Sequence, residues 1–327
     1  METLTPLART VSALRAALPK SRGPGRVLDA LDRWESFEGV DPVTDAVRSV
    51  VRSLPLGGAR DVLHGRWLGH PVHPLMVQLP VGAWLSAAVL DVLPGKRRAA
   101  RALVATGLAG AAPAAVAGWV DWAELRRPQM RVGLLHAVAN TTGVVCYAVS
   151  LSARCRGRHW RGKAWGFAGL TAVAVGGALG GHLSYRLGAG ANHAEEVPDL
   201  VGSGWHELGD VTDLPVDRPR RGMIGTVPVV MVRTGDGLVH VLAERCSHMA
   251  GPLAEGTVED GCLRCPWHGS TFRLSDGWNV TGPATAPQPV FRTRVVNGRL
   301  EARLEPAAAR DRAPEEEDAE HRSGEAA

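Results

Sequence analysis

The sequence predicts a multidomain chain of two unlike parts: an N-terminal all-α four-helix transmembrane bundle and a C-terminal all-β domain. Three observations carry this reading. Four apolar stretches, at residues 75–93, 102–123, 133–153 and 164–187, each approach the ~20 residues that a helix needs to cross a bilayer core. Beyond residue 204 the texture changes to short β-branched runs separated by turn signals such as Thr234-Gly-Asp-Gly237, the pattern of antiparallel strands. Finally, the 327 residues are 45% hydrophobic but only 5% aromatic. Alanine, glycine, leucine and valine supply the excess, which is unusual for one soluble enzyme.

In chain order, residues 1–70 form a polar preamble. Segments 11–18, 27–37 and 43–54 are spaced like short amphipathic helices, broken by Pro19, Pro24, Pro42 and Pro55. They suit a membrane surface, packing against the later domain, or a solvated preamble. Residues 71–187 are the four-helix membrane domain, and 188–204 a Gly-, Glu- and Asp-containing linker. The all-β domain spans 205–305, with strands expected near 223–225, 227–232, 238–242, 257–258, 262–264, 270–274, 290–296 and 300–304. Residues 306–327 read as a disordered acidic tail. The net charge of +4 comes from opposed basic and acidic segments, and indicates no nucleic-acid partner. No cleaved signal peptide is expected.

The apolar stretches are rich in Gly and Ala, allowing close helix contact, and Pro80 and Pro113 are expected to kink their helices. Four successive crossings bring His70, His73, Asp121, His136 and His182 to one side, with Asp91 at the other. Ionisable residues at membrane depth are costly and by default functional. Three readings stay open. One is haem b, with His136 and His182 as axial ligands on facing helices and His73 as a substitute. The others are a quinone or proton-handling site, and a structural polar network including Asp121.

Candidate chemistry in the all-β domain lies in two loops, Cys246-Ser-His248 and Cys265-Pro-Trp-His268, with 16 residues between His248 and Cys265. Two Cys and two His could make a tetrahedral zinc site, but the Cys-x-x-Cys or His-x(3–5)-His halves of such sites are absent. Each loop instead offers one thiolate and one imidazole. That suits a [2Fe–2S] cluster with one iron on Cys246 and Cys265 and the other on His248 and His268. Of the five cysteines, Cys146, Cys155 and Cys262 form no evident disulfide framework.

At these loops the chain resembles the Rieske family. The match runs through Cys246-Ser-His-Met-Ala-Gly-Pro-Leu253 and Cys265-Pro-Trp-His-Gly-Ser-Thr-Phe272 to Gly282-Pro-Ala284, which is similar to the family's proline loop. The resemblance implies a small β barrel with the cluster at one tip, Cys ligands on an inner iron and His ligands on an outer, more exposed iron where electrons exit. The quinol-oxidising members have an extra Cys in each loop, joined as a disulfide, and a Tyr hydroxyl on a ligand sulfur. Here Gly251, Trp267 and Phe272 stand at those positions. Losing a hydrogen bond to sulfur makes reduction harder, so a ferredoxin-like type is expected. A whole Rieske oxygenase is disfavoured, because no chain remains after Leu304 for a mononuclear-iron domain.

The N-terminal half resembles a family of uncharacterised four-helix membrane domains. The likeness rests on Leu68-Gly-His-Pro-Val-His-Pro74, Pro80-Val-Gly-Ala-Trp84, Asp91, Gly118-Trp-Val-Asp-Trp122 and His136, and carries no mechanism. The expected function is therefore a membrane-anchored one-electron carrier that exchanges electrons with a redox protein donor or acceptor, multi-pass in the cell membrane. The alternatives are a membrane oxidoreductase whose helices bind haem b or a quinone, and a redox sensor. Lys96, Arg97, Arg98 and Arg101 between helices 1 and 2, with Arg154, Arg156, Arg158, Arg161 and Lys163 between helices 3 and 4, favour cytoplasmic loops and outside termini. Opposing this, a Rieske domain outside would have to cross the membrane folded, the stretch before helix 4 has no adjacent Arg-Arg pair, and the missing disulfide fits a reducing compartment. The cytoplasmic side is expected for the Rieske domain.

Overall fold

The protein, as a computed structural model, is described over residues 25–305. The expected helix at 11–18, the tail at 306–327 and the leader question lie outside the described residues. Two compact units divide the chain: one holds the chain up to Pro55 together with Met76–Ala189, the other Leu56–Leu75 together with the chain from Gly190 on.

The first unit contains four long helices, with α1 and α2 packed on one end. The short helices are α1 (Arg26–Glu35) and α2 (Asp41–Ser53). The long ones are α4 (Gln78–Val92), α5 (Arg97–Trp122), α6 (Arg127–Cys155) and α7 (His159–Gly181), the last continuing as a wider π-type turn through Arg186. All four are long and apolar enough to cross a membrane, yet only 28% of the most apolar window of the first three, and 22% of the fourth, is buried. Helices so apolar around their whole circumference have no polar face to offer water. Pro80 sits in the first turn of α4, where a missing N–H costs nothing, whereas Pro113 is inside α5.

Close helix approach depends on small residues. A Cβ on Gly107 of α5 would lie 2.2 Å from the Trp84 indole nitrogen, so α4 and α5 come this close there only because position 107 has no side chain. Trp84 in turn stacks on Tyr147 of α6, ring centroids 4.2 Å apart. A buried ion pair joins the same helices: Arg154 forks onto Asp91, with Nη1 2.8 Å from Oδ1, and its Nε donates to Ser150 Oγ at 3.1 Å.

The preamble helices seal the opposite end of the bundle. Arg131 donates to both carboxylate oxygens of Asp41 at 2.8 and 2.7 Å and to the Glu35 carbonyl at 2.7 Å. Arg52 pairs with Glu124, and Arg48 donates to the Ala123 carbonyl at 2.8 Å. The Arg131 guanidinium holds the Asp41 carboxyl below its usual pKa. These bonds explain how a polar segment with helical periodicity docks on the end of the bundle. Its charges face Glu124 just beyond α5, Arg131 near the start of α6, and His182 and Arg186 after α7.

The second unit carries α3 (Ala59–His64) and the β structure. Its six-stranded sheet has the order β1 (His206–Asp210), β10 (Arg299–Leu304), β9 (Val290–Val296), β4 (Val239–Ala243), β3 (Val227–Arg233), β2 (Arg220–Ile224). A four-stranded sheet follows the sequence: β5 (Thr257–Glu259), β6 (Cys262–Arg264), β7 (Thr271–Arg273), β8 (Asn279–Thr281). All named pairs are antiparallel. β1 and β8 were not expected from the sequence: His-Glu-Leu-Gly-Asp carries no β-branched residue, and β8 is only three residues long. The linker is not extended either, since Ala194, Val197 and Val201 join the sheet's core.

Arg154→Met should leave Asp91 buried and unpaired, destabilising the bundle by about 3–5 kcal/mol. The double variant with Asp91→Leu should recover most of that loss. Thermal unfolding of the detergent-solubilised protein checks both.

Candidate metal centre

Each cluster loop is a tight turn closed by its own backbone. In the first, Cys246 N–H donates to the Gly251 carbonyl at 2.9 Å and Ala250 N–H to the Cys246 carbonyl at 2.8 Å. In the second, Cys265 N–H donates to the Ser270 carbonyl at 2.8 Å and Gly269 N–H to the Cys265 carbonyl at 3.1 Å. The loops follow β4 and β6, so the two sheets present them together. A Cβ on Gly251 would lie 2.8 Å from Cys265 Sγ and 3.2 Å from the Trp267 ring. Glycine is what lets the loops approach this closely, and a cysteine there would not fit without movement.

The four sequence-predicted ligands converge at this tip. Cys246 and Cys265 are buried and hydrogen-bonded to each other, and the His248 and His268 rings have centroids 5.0 Å apart at 88°. Among the described residues, no three His, Cys, Asp or Glu side chains gather as a single-ion site; the donors come as a sulfur pair and an imidazole pair. The Cys246 thiol is pushed well up by its bond to Cys265 and by burial. Cys265 is held down to about 7, chiefly by the Cys246 thiol, with the N–H groups of Trp267 and His268 adding to the effect. His248 N–H and Met249 N–H point likewise at Cys246. Backbone donors aimed at both sulfurs stabilise negative charge there, so the residues present fit a [2Fe–2S] group.

Two supports escaped the sequence reading. Gln288, fully buried, accepts from Ser247 N–H at 3.0 Å and donates to the carbonyls of Ala243 and Arg245 at 2.8 and 2.6 Å. Ser270 Oγ accepts from Ala284 N–H at 3.1 Å and so ties the Gly282-Pro-Ala284 loop to the second cluster loop. A lone Gln between two prolines carries no sequence signal; its role exists only once the chain folds back 41 residues onto Ser247. Phe272 is fully buried in the core that also holds both cysteines, so no side-chain hydroxyl is supplied from position 272. Cys262 sits in β6 as a half-buried free thiol.

The histidine edge is more open than the sulfur pair, though neither ring is fully exposed. His248 and His268 are partly buried. The pKa of His248 is lowered well below its usual value, first by burial and then by the neighbouring imidazoles of His268, His64 and His193.

In the helical unit, each candidate has its own engagement. His136 Nδ1 lies 2.8 Å from the Gly176 carbonyl and its Nε2 3.2 Å from the Asn140 amide. His182 Nε2 lies 2.7 Å from Glu35. Asp121 is at the end of α5, and His73, in the turn before α4, belongs to the other compact unit.

Comparison with known proteins bears directly on the β unit. Residues 204–292 match the Rieske [2Fe–2S] domain. The chain is 35% identical over 100 residues to the anthranilate 1,2-dioxygenase ferredoxin subunit of Burkholderia cepacia, covering 92% of that protein and 31% of this one. The chain belongs to the Rieske family. The Rieske domain is also 29% identical over 97 residues to ferredoxin CarAc of Metapseudomonas resinovorans, 90% of that chain and 29% of this one. Against the oxygenase component of a probable 3-ketosteroid-9-alpha-monooxygenase of Rhodococcus rhodochrous it is 35% identical, but over only 24% of that protein and 30% of this chain. Residues 69–193 match a second family, described as a predicted membrane protein (DUF2231).

Gln288→Leu should leave Ser247 N–H and two carbonyls buried without partners, at roughly 1–3 kcal/mol per group. The expected result is a lower temperature at which the protein's visible absorption bleaches, with the far-ultraviolet spectrum at about ambient temperature unchanged.

Proposed function

We propose that the protein is a membrane-anchored one-electron carrier in which Cys246 and Cys265 hold the inner iron, and His248 and His268 the outer iron, of a [2Fe–2S] cluster. The observation that carries this is the convergence of two buried sulfurs and two imidazoles on loops closed by backbone N–H donors. When bound, the cluster supplies one-electron exchange. The protein's residues do the rest: the N–H groups at both sulfurs favour the more negative state, Gly251 lets the loops close, and Gln288 holds the first loop in place.

The coverage of its relatives supports a carrier. Nine-tenths or more of two ferredoxins is spanned, against about a quarter of an oxygenase component. An oxygenase or comparable redox protein is the natural partner. The helical unit serves as the anchor, its outward apolar surface facing lipid. Within it, His136, Asn140 and the Gly176 carbonyl form a structural network, as do His182 and Glu35. Haem or quinone binding would require those bonds to be replaced. We place the Rieske domain in the cytoplasm, because the missing loop disulfide and the unpaired Cys146, Cys155 and Cys262 suit a reducing environment.

Purified protein should contain iron and acid-labile sulfide in equal amounts, and on reduction give the electron paramagnetic resonance signal of a histidine-ligated centre. Cys246→Ser or Cys265→Ser should abolish it; stoichiometric zinc without labile sulfide would refute the assignment.

The buried Phe272 also sets an expectation for the potential. Phe272→Tyr should raise the midpoint in a redox titration, by offering a hydroxyl near the ligand sulfurs. A wild-type midpoint at the upper end of the roughly −150 to +300 mV Rieske range would contradict the ferredoxin-like classification.

A further inference from the structure

Chain from outside the Rieske match packs on two of the loops at the cluster tip. Helix α3 ends at His64, which is only 2% exposed. Gly65, at φ 79°, ends α3; a Cβ there would fall 2.0 Å from the His70 carbonyl oxygen. That reversal, which only glycine permits, turns the chain back immediately after His64. On the other flank, His193 N–H donates to the Ser247 carbonyl at 2.9 Å, one residue before His248.

Two bonds fasten α3 to the β structure itself. Asp61 Oδ1 accepts from Gly282 N–H, in the proline loop, at 3.0 Å. Arg66 Nη1 reaches the Asn279 carbonyl at 3.3 Å. Neither family match covers α3, since one begins at residue 69 and the other at 204. The covering element is therefore particular to how this chain joins its parts.

We infer that 59–66 and His193 form a collar that closes the histidine edge in cis, so that a soluble protein donor cannot dock directly on His248 and His268. The collar, with His64 as its innermost side chain, is then the surface a productive partner must meet. This rests on the cluster assignment above, and it sets the protein apart from a freely diffusing ferredoxin, which must offer that edge to its partner. Asp61 is the positioning residue: its carboxylate ties α3 to the loop over the site.

The test uses full-length holoprotein in detergent, with cluster content first measured by iron, sulfide and paramagnetic resonance in every variant. Reduction is then followed at the visible band with two one-electron donors: dithionite, a small reductant, and a soluble flavoprotein reductase of the ferredoxin-reducing class, which passes one electron to each cluster as it is itself oxidised. Wild type should reduce readily with dithionite and slowly with the flavoprotein. Asp61→Ala, which removes a charge-assisted hydrogen bond, should speed the flavoprotein reaction about ten-fold or more, while leaving the dithionite rate unchanged. Asp61→Asn, which keeps an acceptor oxygen, should restore the slow rate. His64→Ala should alter the g-values of the reduced centre, a readout independent of any partner. Equal flavoprotein rates in wild type and Asp61→Ala, with full cluster content in both, would overturn the collar. An absent cluster in wild type would instead overturn the assignment on which it rests.

Discussion

The close approach of the two cluster loops is the constraint on which the β unit depends. A sulfur pair and an imidazole pair can serve one site only if both loops come together, and they do so with Gly251 against Cys265 Sγ. Everything around that contact maintains it. The turns are closed by their own N–H groups, Gln288 holds the first loop to β4 and Ser270 holds the proline loop to the second. The buried aliphatic core beneath, with Phe272, Leu263 and Leu242 fully enclosed, leaves these loops no room to drift.

The helical unit is held by different forces. Its helices expose most of their apolar surface, so burial from water is not what joins them. Close contact at Gly107, the Trp84–Tyr147 stack and the enclosed Asp91–Arg154 pair supply specificity within the bundle. At the other end, the ion pairs of α1 and α2 with Arg131, Glu124 and Arg186 do the same. A polar preamble thereby becomes a lid on one end of an apolar bundle, and His182 is paired with Glu35 rather than isolated.

The site's ligands were legible in the sequence because cluster chemistry demands particular atoms at particular spacings. Cys246, His248, Cys265 and His268 could be named from two short motifs, and Phe272 and Gly251 from the positions they occupy in them. The supporting residues were not. Gln288, Asp61, His64 and His193 act over separations that no local pattern encodes: Asp61 meets Gly282 from 221 residues away.

By itself the sequence determined what is local. Apolar runs of bilayer length specify long helices, β-branched runs between turn residues specify strands, and Cys-x-His with Cys-x-x-His specifies the donors of an iron–sulfur centre, because each is dictated by periodicity or by ligand chemistry. Only tertiary structure decided that 56–75 packs with the Rieske domain rather than with the bundle it precedes. It also decided that the preamble's carboxylates neutralise the bundle's end, and that α3 is tied to the proline loop through Asp61. These outcomes turn on which distant surfaces satisfy one another's charges and hydrogen bonds, and such pairings exist only in the folded chain.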